Sequence, residues 1–115
     1  MKPEGRDPAY LWDMRKYAQD ARALVGATSF EELDRDSIRK LALERMIEII
    51  GEAARRVSPD FKRRHPSIDW RALAGQRNVI AHEYGKIDHR RLYDTTCRLV
   101  PVLLVELESI LRDVE

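Results

Sequence analysis

Apolar residues recur every three or four positions along most of the chain, which is the pattern of helices with one buried face. The first such segment begins at Asp7-Pro8, where an N-cap acceptor followed by a proline predicts a helix start. Gly26 is its expected end. Its predicted buried positions are Tyr10, Leu11, Met14, Tyr17, Ala18, Ala21, Leu24 and Val25.

A short helical turn and a second long helix are expected next. Ser29 and Glu32 have the spacing of a capping box for a turn that runs through Leu33. Asp36 is the predicted cap of the long helix, which should end at Ser58-Pro59. Its predicted buried face comprises Ile38, Leu41, Ala42, Met46, Ile49, Ile50, Ala53, Ala54 and Val57. Its predicted solvated face comprises Arg39, Lys40, Glu44, Arg45, Glu48, Glu52, Arg55 and Arg56.

A third helix is predicted to start at Trp70, with Asp69 as its cap and Ile68 as a hydrophobic staple to Leu73 or its neighbour. Gly85 is the expected terminator of this helix.

The last helix should run from a cap at Asp88 to about Arg112, with a kink at the internal Pro101. Its predicted buried positions are Leu92, Thr96, Leu99, Val100, Leu103, Leu107, Ile110 and Leu111. The chain has no useful run of strand-like alternation, so the prediction is all-α. We expect one domain over residues 1–115, an antiparallel four-helix bundle with additional short helical turns.

Composition adds constraints on partners. Of the 115 residues, 43% are hydrophobic, which suffices for a core, but so small a domain buries only about two thirds of its unfolded surface. Dimerisation would be a natural supplement. The net charge of +1 excludes a strongly basic nucleic-acid binder, so any such surface must be a local cluster. The densest basic cluster is Lys62-Arg63-Arg64-His65. Its three cations and the pair Arg90-Arg91 are open to two interpretations, RNA contacts or solvated positive charge, and the nearly balanced net charge slightly favours the second.

Cysteine and histidine usage narrows the chemistry further. The single cysteine, Cys97, excludes an internal disulfide and suits a reducing compartment. Its apolar helical surroundings predict a buried structural thiol. The histidines His65 and His89 have no Cys, Asp or Glu at metal-ligand spacing, so neither a metal nor another cofactor is expected. The polar N-terminus and the lack of a long apolar run predict a cytoplasmic protein.

The segment from Arg77 to Tyr84 is the richest in chemistry, because it combines a permanent cation, the amide of Asn78, the imidazole of His82 and a phenol. An Arg can hold a phosphate and a His can move a proton near neutrality, which suggests chemistry on a phosphodiester. On an ideal helix Arg77 and His82 lie about 140° apart, whereas Asn78 and His82 share a face. Either the helix distorts near His82, or two copies of the segment meet across a dimer interface. The sequence leaves both open.

This segment resembles the Arg-polar-x(4–6)-His signature of HEPN-superfamily ribonucleases. With Tyr84 two residues after His82, it is similar to the Arg-x4-His-x-Tyr pattern of the HepT-like toxins in particular. The flanking sequence resembles the family too, over nearly the whole chain. The blocks that carry this are residues 6–11, 49–58 and 61–70, together with the late Pro101.

The resemblance implies a HEPN-like helical bundle that homodimerises with its motifs facing a cleft between protomers. It implies a metal-independent endoribonuclease in which the 2′-hydroxyl of the RNA attacks the adjacent phosphate. His82 would transfer protons, Arg77 would stabilise charge on the phosphate, and Asn78 would support the site by hydrogen bonding. Tyr84 would accept AMP from an MntA-like nucleotidyltransferase antitoxin, which would switch the toxin off. A higher heteromeric complex with that antitoxin would be compatible with this scheme.

A second function class stays open at this level. The same cleft would serve a non-catalytic module that holds a nucleotide or docks a nucleotidyltransferase. An adjacent reading frame encoding a small nucleotidyltransferase would support a toxin–antitoxin pair without proving cleavage.

Overall fold

The computed structural model describes residues 5–82 and 87–112, with only the backbone described for residues 77–82. Within these ranges the chain is helical and contains no strand, so the all-α prediction is confirmed. The helices are α1 (Asp7–Gly26), α2 (Phe30–Asp34), α3 (Ser37–Arg56), α4 (Pro59–Arg64), α5 (Trp70–His82) and α6 (His89–Arg112). Among the described residues, none of the helices is long and apolar enough to cross a membrane.

Four long helices enclose one hydrophobic core, and the two short helices lie in the connections. Helix α3 packs against both α1 and α5, and α1 packs in turn against α6. The largest fully buried side chains come from five of the six helices and from Val57, which directly follows α3, and they are Phe61, Leu11, Met14, Leu33, Leu43, Ile50, Leu107, Leu111, Val57, Val100 and Thr96. This architecture is compatible with a HEPN helical bundle.

Four of the predicted helix caps are present. Ser29 and Glu32 form a complete capping box for α2. Asp36 accepts hydrogen bonds from two backbone N–H groups at the start of α3. The side chains of Asp69 and Asp88 accept from the backbone N–H three residues later, at the starts of α5 and α6. These interactions are local in sequence, which is why the residue pattern was sufficient to predict them.

The start of α1 differs from the prediction. The N-cap position is Arg6, which has no side-chain capping bond, and Asp7 is the first helical residue. The Asp7 carboxylate is instead buried and accepts two hydrogen bonds from Ser58. The prediction of Asp7 as a cap was therefore wrong, because a distant partner takes both of its oxygens. The predicted end at Gly26 is confirmed.

The predicted buried face of α3 was wrong in its first half. Ile38 is 77% exposed and Leu41 is 55% exposed, whereas Leu43 and Ile47 are buried. Glu44, which was placed on the solvated face, is only 8% exposed. The second half was predicted correctly at Ile50, Ala53, Ala54 and Val57. In the first two turns of α3, apolar residues lie on two faces. Packing against the neighbouring helices buries the face that continues to Ile50.

The connection between α3 and α5 contains the short helix α4, which the sequence pattern did not predict. Ser58 is its N-cap, and the Ser58 Oγ atom accepts a hydrogen bond from the Phe61 N–H. Phe61 is fully buried. The short helix therefore anchors the chain to the core before α5 begins.

The predicted core face of α6 is confirmed except at Leu99, which is only partly buried, and Leu104 is an additional buried residue. The helix runs without a break through Pro101. The prediction for Cys97 was wrong, because this residue is exposed. Enough protein still surrounds its sulfur that partial desolvation, followed by the nearby Asp94 carboxylate, raises the pKa of Cys97.

Candidate functional site

Helix α5 carries the Arg77-to-His82 part of the motif, and its first turn is firmly anchored. The Asp69 Oδ1 atom accepts a hydrogen bond of 3.1 Å from the Ala72 N–H. The Trp70 Nε1–H donates to the His65 carbonyl oxygen at 3.0 Å. Ile68 and Leu73 are 2% and 5% exposed, in line with the predicted staple. The helix therefore enters the bundle in a fixed orientation.

Aromatic packing continues this anchor into α4. The rings of Phe61 and His65 stack with centroids 4.3 Å apart, and Phe61 meets Trp70 edge-on at 6.2 Å. Partial burial, followed by the charge of Arg64, lowers the pKa of His65. The stacking of His65 on Phe61, at the end of α4, favours a packing role for its imidazole.

The three motif residues of α5 occupy its last two turns. The helix is described as continuous from Trp70 to His82. Positions 77 and 82 are therefore separated by about 140° around the axis and about 7.5 Å along it. Positions 78 and 82 are one turn apart on one face. The side chains of Arg77, Asn78 and His82 lie outside the described part of the structure, as do Tyr84 and the predicted terminator Gly85 in their entirety.

A largely buried pair of polar side chains lies just beyond the motif, and sequence reasoning missed it. The His89 Nε2 atom is 2.8 Å from the Glu44 Oε2 atom, and the two side chains are only 23% and 11% exposed. His89 is the first residue of α6 and Glu44 belongs to α3. The sequence contained no signal for this contact, because the two residues are 45 positions apart and Glu44 fits the pattern of charged residues predicted for the solvated face of α3.

The beginning of α6 is also tied to the α1–α2 connection. The Tyr93 hydroxyl lies 3.1 Å from the Val25 carbonyl oxygen and 2.6 Å from that of Thr28. The Tyr93 ring meets Phe30 edge-on at 5.9 Å. Desolvation in this contact raises the pKa of Tyr93, so the phenol stays neutral and available as a donor. Helix α5, which carries the motif, and helix α6, which follows it, are thus both held near their starts by side-chain contacts.

The basic cluster on α4 is partly engaged in structural contacts. The Lys62 Nζ atom donates to the Arg55 carbonyl oxygen at 3.1 Å, and partial burial lowers the pKa of Lys62. Arg63 pairs with Asp60 on the same helix. These contacts favour the interpretation of the cluster as charge that completes helix ends, where cations interact well with the helix dipole.

The described side chains include no cluster of three or more His, Cys, Asp or Glu residues that could hold a metal ion. Glu44 and His89, which meet across two helices, offer two potential ligands. Structural and catalytic zinc sites use three or four protein ligands. This pair is therefore best described as an ion pair or hydrogen bond between helices.

Comparisons with known proteins agree on one family. The family model described as Ribonuclease HepT-like matches residues 14–110. "Probable ribonuclease HepT" of Thermococcus cleftensis is 34% identical over 110 residues, which cover 96% of this chain and 98% of that protein. "Putative RNase MJ1216" of Methanocaldococcus jannaschii is 30% identical over 107 residues, covering 93% and 88%. A relative from Caldanaerobacter subterraneus subsp. tengcongensis, "Putative RNase TTE0752", is 32% identical over 88 residues, covering 76% and 79%. No solved structure matches the chain significantly.

Proposed function

The chain belongs to the HepT-like ribonuclease family, and from that premise we propose that it is the toxin of a toxin–antitoxin pair. Its activity is endonucleolytic cleavage of RNA without a metal ion. The observation that carries this proposal is the family match, which spans the Arg77-to-Tyr84 motif.

The reaction needs only proton transfers and charge stabilisation. The RNA 2′-oxygen forms a bond to the adjacent phosphorus, and the bond from phosphorus to the 5′-oxygen of the next nucleotide breaks. A base takes the proton of the 2′-hydroxyl, and an acid supplies a proton to the departing 5′-oxygen. The products are a 2′,3′-cyclic phosphate and a 5′-hydroxyl. Imidazole suits both proton transfers because its ordinary pKa is near neutrality.

Three motif residues divide these tasks in the proposed site. Arg77 provides a permanent, planar cation for the phosphate oxygens, where negative charge increases in the transition state. His82 is the proton-transfer group. Asn78 lies one helical turn before His82, and its proposed role is to support the site by hydrogen bonding.

The continuous backbone of α5 supports a site shared between two chains. A regular helix through His82 separates positions 77 and 82 by about 140°. Positions 77 and 82 then lie on different faces of one helix, and in the proposed site a second copy brings the cation of one chain and the imidazole of the other to one phosphate. A homodimer with its motif helices facing one cleft meets this requirement, and it also supplements the small core of the single domain.

Tyr84 is the proposed site of neutralisation. A partner nucleotidyltransferase resembling MntA transfers the AMP moiety of ATP to the Tyr84 oxygen. The phenol oxygen bonds to the α-phosphorus, pyrophosphate leaves, and the phenol proton is released. The added phosphate is an anion two residues from His82, so it repels the RNA phosphate as well as obstructing it.

The experiment that tests the proposal is RNA cleavage by the purified protein with a chelator present, compared with the His82→Ala and Arg77→Ala variants. Cleavage that disappears in both variants supports the proposal. A non-catalytic nucleotide-binding or docking module is the outcome if the wild type cleaves no faster than His82→Ala.

A further inference from the structure

Glu44 is an unusual residue for its position, because it is a carboxylate in the interior of the bundle. Among the described side chains, Asp7 and Glu44 are the two charged residues that are less than 9% exposed. Asp7 is fully engaged by Ser58 near the start of α4. Glu44 lies in α3 and contacts His89.

The contact between Glu44 and His89 joins two side-chain atoms at hydrogen-bond distance. The His89 Nε2 atom lies 2.8 Å from the Glu44 Oε2 atom, and the two side chains share one hydrogen bond. Such a bond fixes the imidazole plane as well as the separation of the two helices. Glu44 belongs to a long helix that packs against α1 and α5. Its side chain can therefore fix the position of His89, the first residue of α6.

Stability alone does not account for this pair. Burying two polar side chains has a desolvation cost, and well-packed apolar residues of similar volume often give equal or greater stability. What an apolar contact does not supply is a directional bond at one distance. The pair is therefore better explained by a need to specify where α6 begins.

The position of the start of α6 matters because α6 follows the helix that carries the motif. Helix α5 ends at His82 and α6 begins at His89. Both helices contact α3, so α3 helps to position the two ends of the short connection between them. Ile87 packs against the core, and Asp88 caps α6, directly before His89. A shift in the start of α6 would therefore move one end of the connection that follows the motif helix.

We propose that Glu44 and His89 are positioning residues, which hold the start of α6 against α3 and so keep the end of the motif helix in its reactive arrangement. This inference rests on the proposed ribonuclease function. Neither residue touches RNA in this scheme. Their loss lowers the rate of the chemical step without weakening RNA binding, since misplacement of reacting groups by about 1 Å can reduce rate on the order of 100-fold.

The decisive variant replaces both partners by apolar residues, Glu44→Met together with His89→Leu. Its melting temperature should equal or exceed that of the wild type, because the desolvation cost is removed. Its kcat should fall by roughly 10- to 100-fold while KM changes by less than about 2-fold. The single variant Glu44→Gln, which retains an acceptor oxygen and leaves His89 in place, should keep most of the wild-type kcat. Glu48→Gln is the matched control on the same helix, because Glu48 is in a more exposed pair with Arg45.

Amide hydrogen exchange gives a readout that does not depend on RNA cleavage. Exchange at residues 87–92 should be faster in the double apolar variant than in the wild type and in Glu48→Gln, although global stability is preserved. Unchanged exchange there, or a loss of kcat no larger than the loss of folded protein, would overturn the positioning role. If the wild type cleaves no RNA, the proposed function fails by itself, and the exchange result still decides whether the pair anchors α6.

Discussion

The carboxylate of Asp7 is bound on both oxygens by Ser58, a residue 51 positions later in the chain. The Ser58 N–H donates to the Asp7 Oδ1 atom at 2.9 Å, and the Ser58 Oγ–H donates to the Oδ2 atom at 2.7 Å. The same Oγ atom accepts from the Phe61 N–H. One buried side chain thus joins the start of α1 to the cap of α4.

Replacing Asp7 should therefore destabilise the whole domain. We expect Asp7→Ala to lower the free energy of unfolding by about 2–4 kcal/mol, because two hydrogen bonds to a charged group are lost and the Ser58 donors are left without it. Urea denaturation followed by circular dichroism measures this. Asp20→Asn, which alters the exposed pair with Lys16, should change the same quantity by less than about 1 kcal/mol. Equal effects of the two substitutions would contradict the structural role of Asp7.

The orientation of α3 gives a second prediction about stability. Leu43→Ala should lower the free energy of unfolding by about 2–5 kcal/mol, since Leu43 is fully buried. Leu41→Ala should cost less than about 1 kcal/mol in the monomer, because Leu41 is 55% exposed. The two variants differ only in which of two nearby leucines is shortened. A larger loss for Leu41 than for Leu43 would mean that α3 is rotated from the orientation described.

Local interactions explain why much of this fold could be predicted from the sequence. The capping box at Ser29 and the caps at Asp36, Asp69 and Asp88 each depend on residues within a few positions. Most of the core face of α6 was also predicted, because its buried residues recur every three or four positions, although Val102 and Val105 lie exposed on another face. The first half of α3 has apolar residues on two faces, so local pattern alone did not determine which face would be buried.

Interactions between distant residues explain what the sequence did not reveal. The pattern Asp7-Pro8 suggested a helix cap, and only the fold shows that Ser58 takes the carboxylate. Glu44 followed the charged face of its helix, and only the fold places it beside His89. The motif from Arg77 to Tyr84 was recognisable because its spacing is local. A partner for its residues on another helix or another chain leaves no comparable local signal.

Modification at Tyr84 should be specific to that hydroxyl. With a partner nucleotidyltransferase and ATP, the wild-type chain should gain the mass of one or more AMP groups. Tyr84→Phe should gain none, because the accepting oxygen is removed while the ring is kept. Intact-mass spectrometry measures both. Equal labelling of the two proteins would rule out Tyr84 as the sole acceptor. Tyr93→Phe is the control and should be labelled like the wild type, because the Tyr93 hydroxyl is engaged by two backbone carbonyl oxygens.

A shared site can be tested by mixing two inactive variants. If Arg77 of one chain works with His82 of the other, a heterodimer of Arg77→Ala and His82→Ala has one site with both residues intact. Random exchange makes about half of the dimers heterodimers with one of two sites active, so about a quarter of wild-type activity should return. The assay is RNA cleavage after co-refolding of the two variants, with each variant refolded alone as the control. No recovery in dimers shown to have exchanged would indicate that each site lies within one chain.

The initial rate of RNA cleavage by the purified protein, measured with excess chelator and with the products' ends identified, tests the central claim most directly. We predict cleavage by the wild type that yields 2′,3′-cyclic phosphate ends. His82→Ala should lower the rate by roughly 10²–10⁴-fold through loss of proton transfer, and Arg77→Ala by roughly 10²–10³-fold through loss of charge stabilisation. Circular dichroism should show all three proteins folded. Wild-type cleavage no faster than that of His82→Ala, or cleavage abolished by the chelator, would contradict a metal-independent ribonuclease built on this motif.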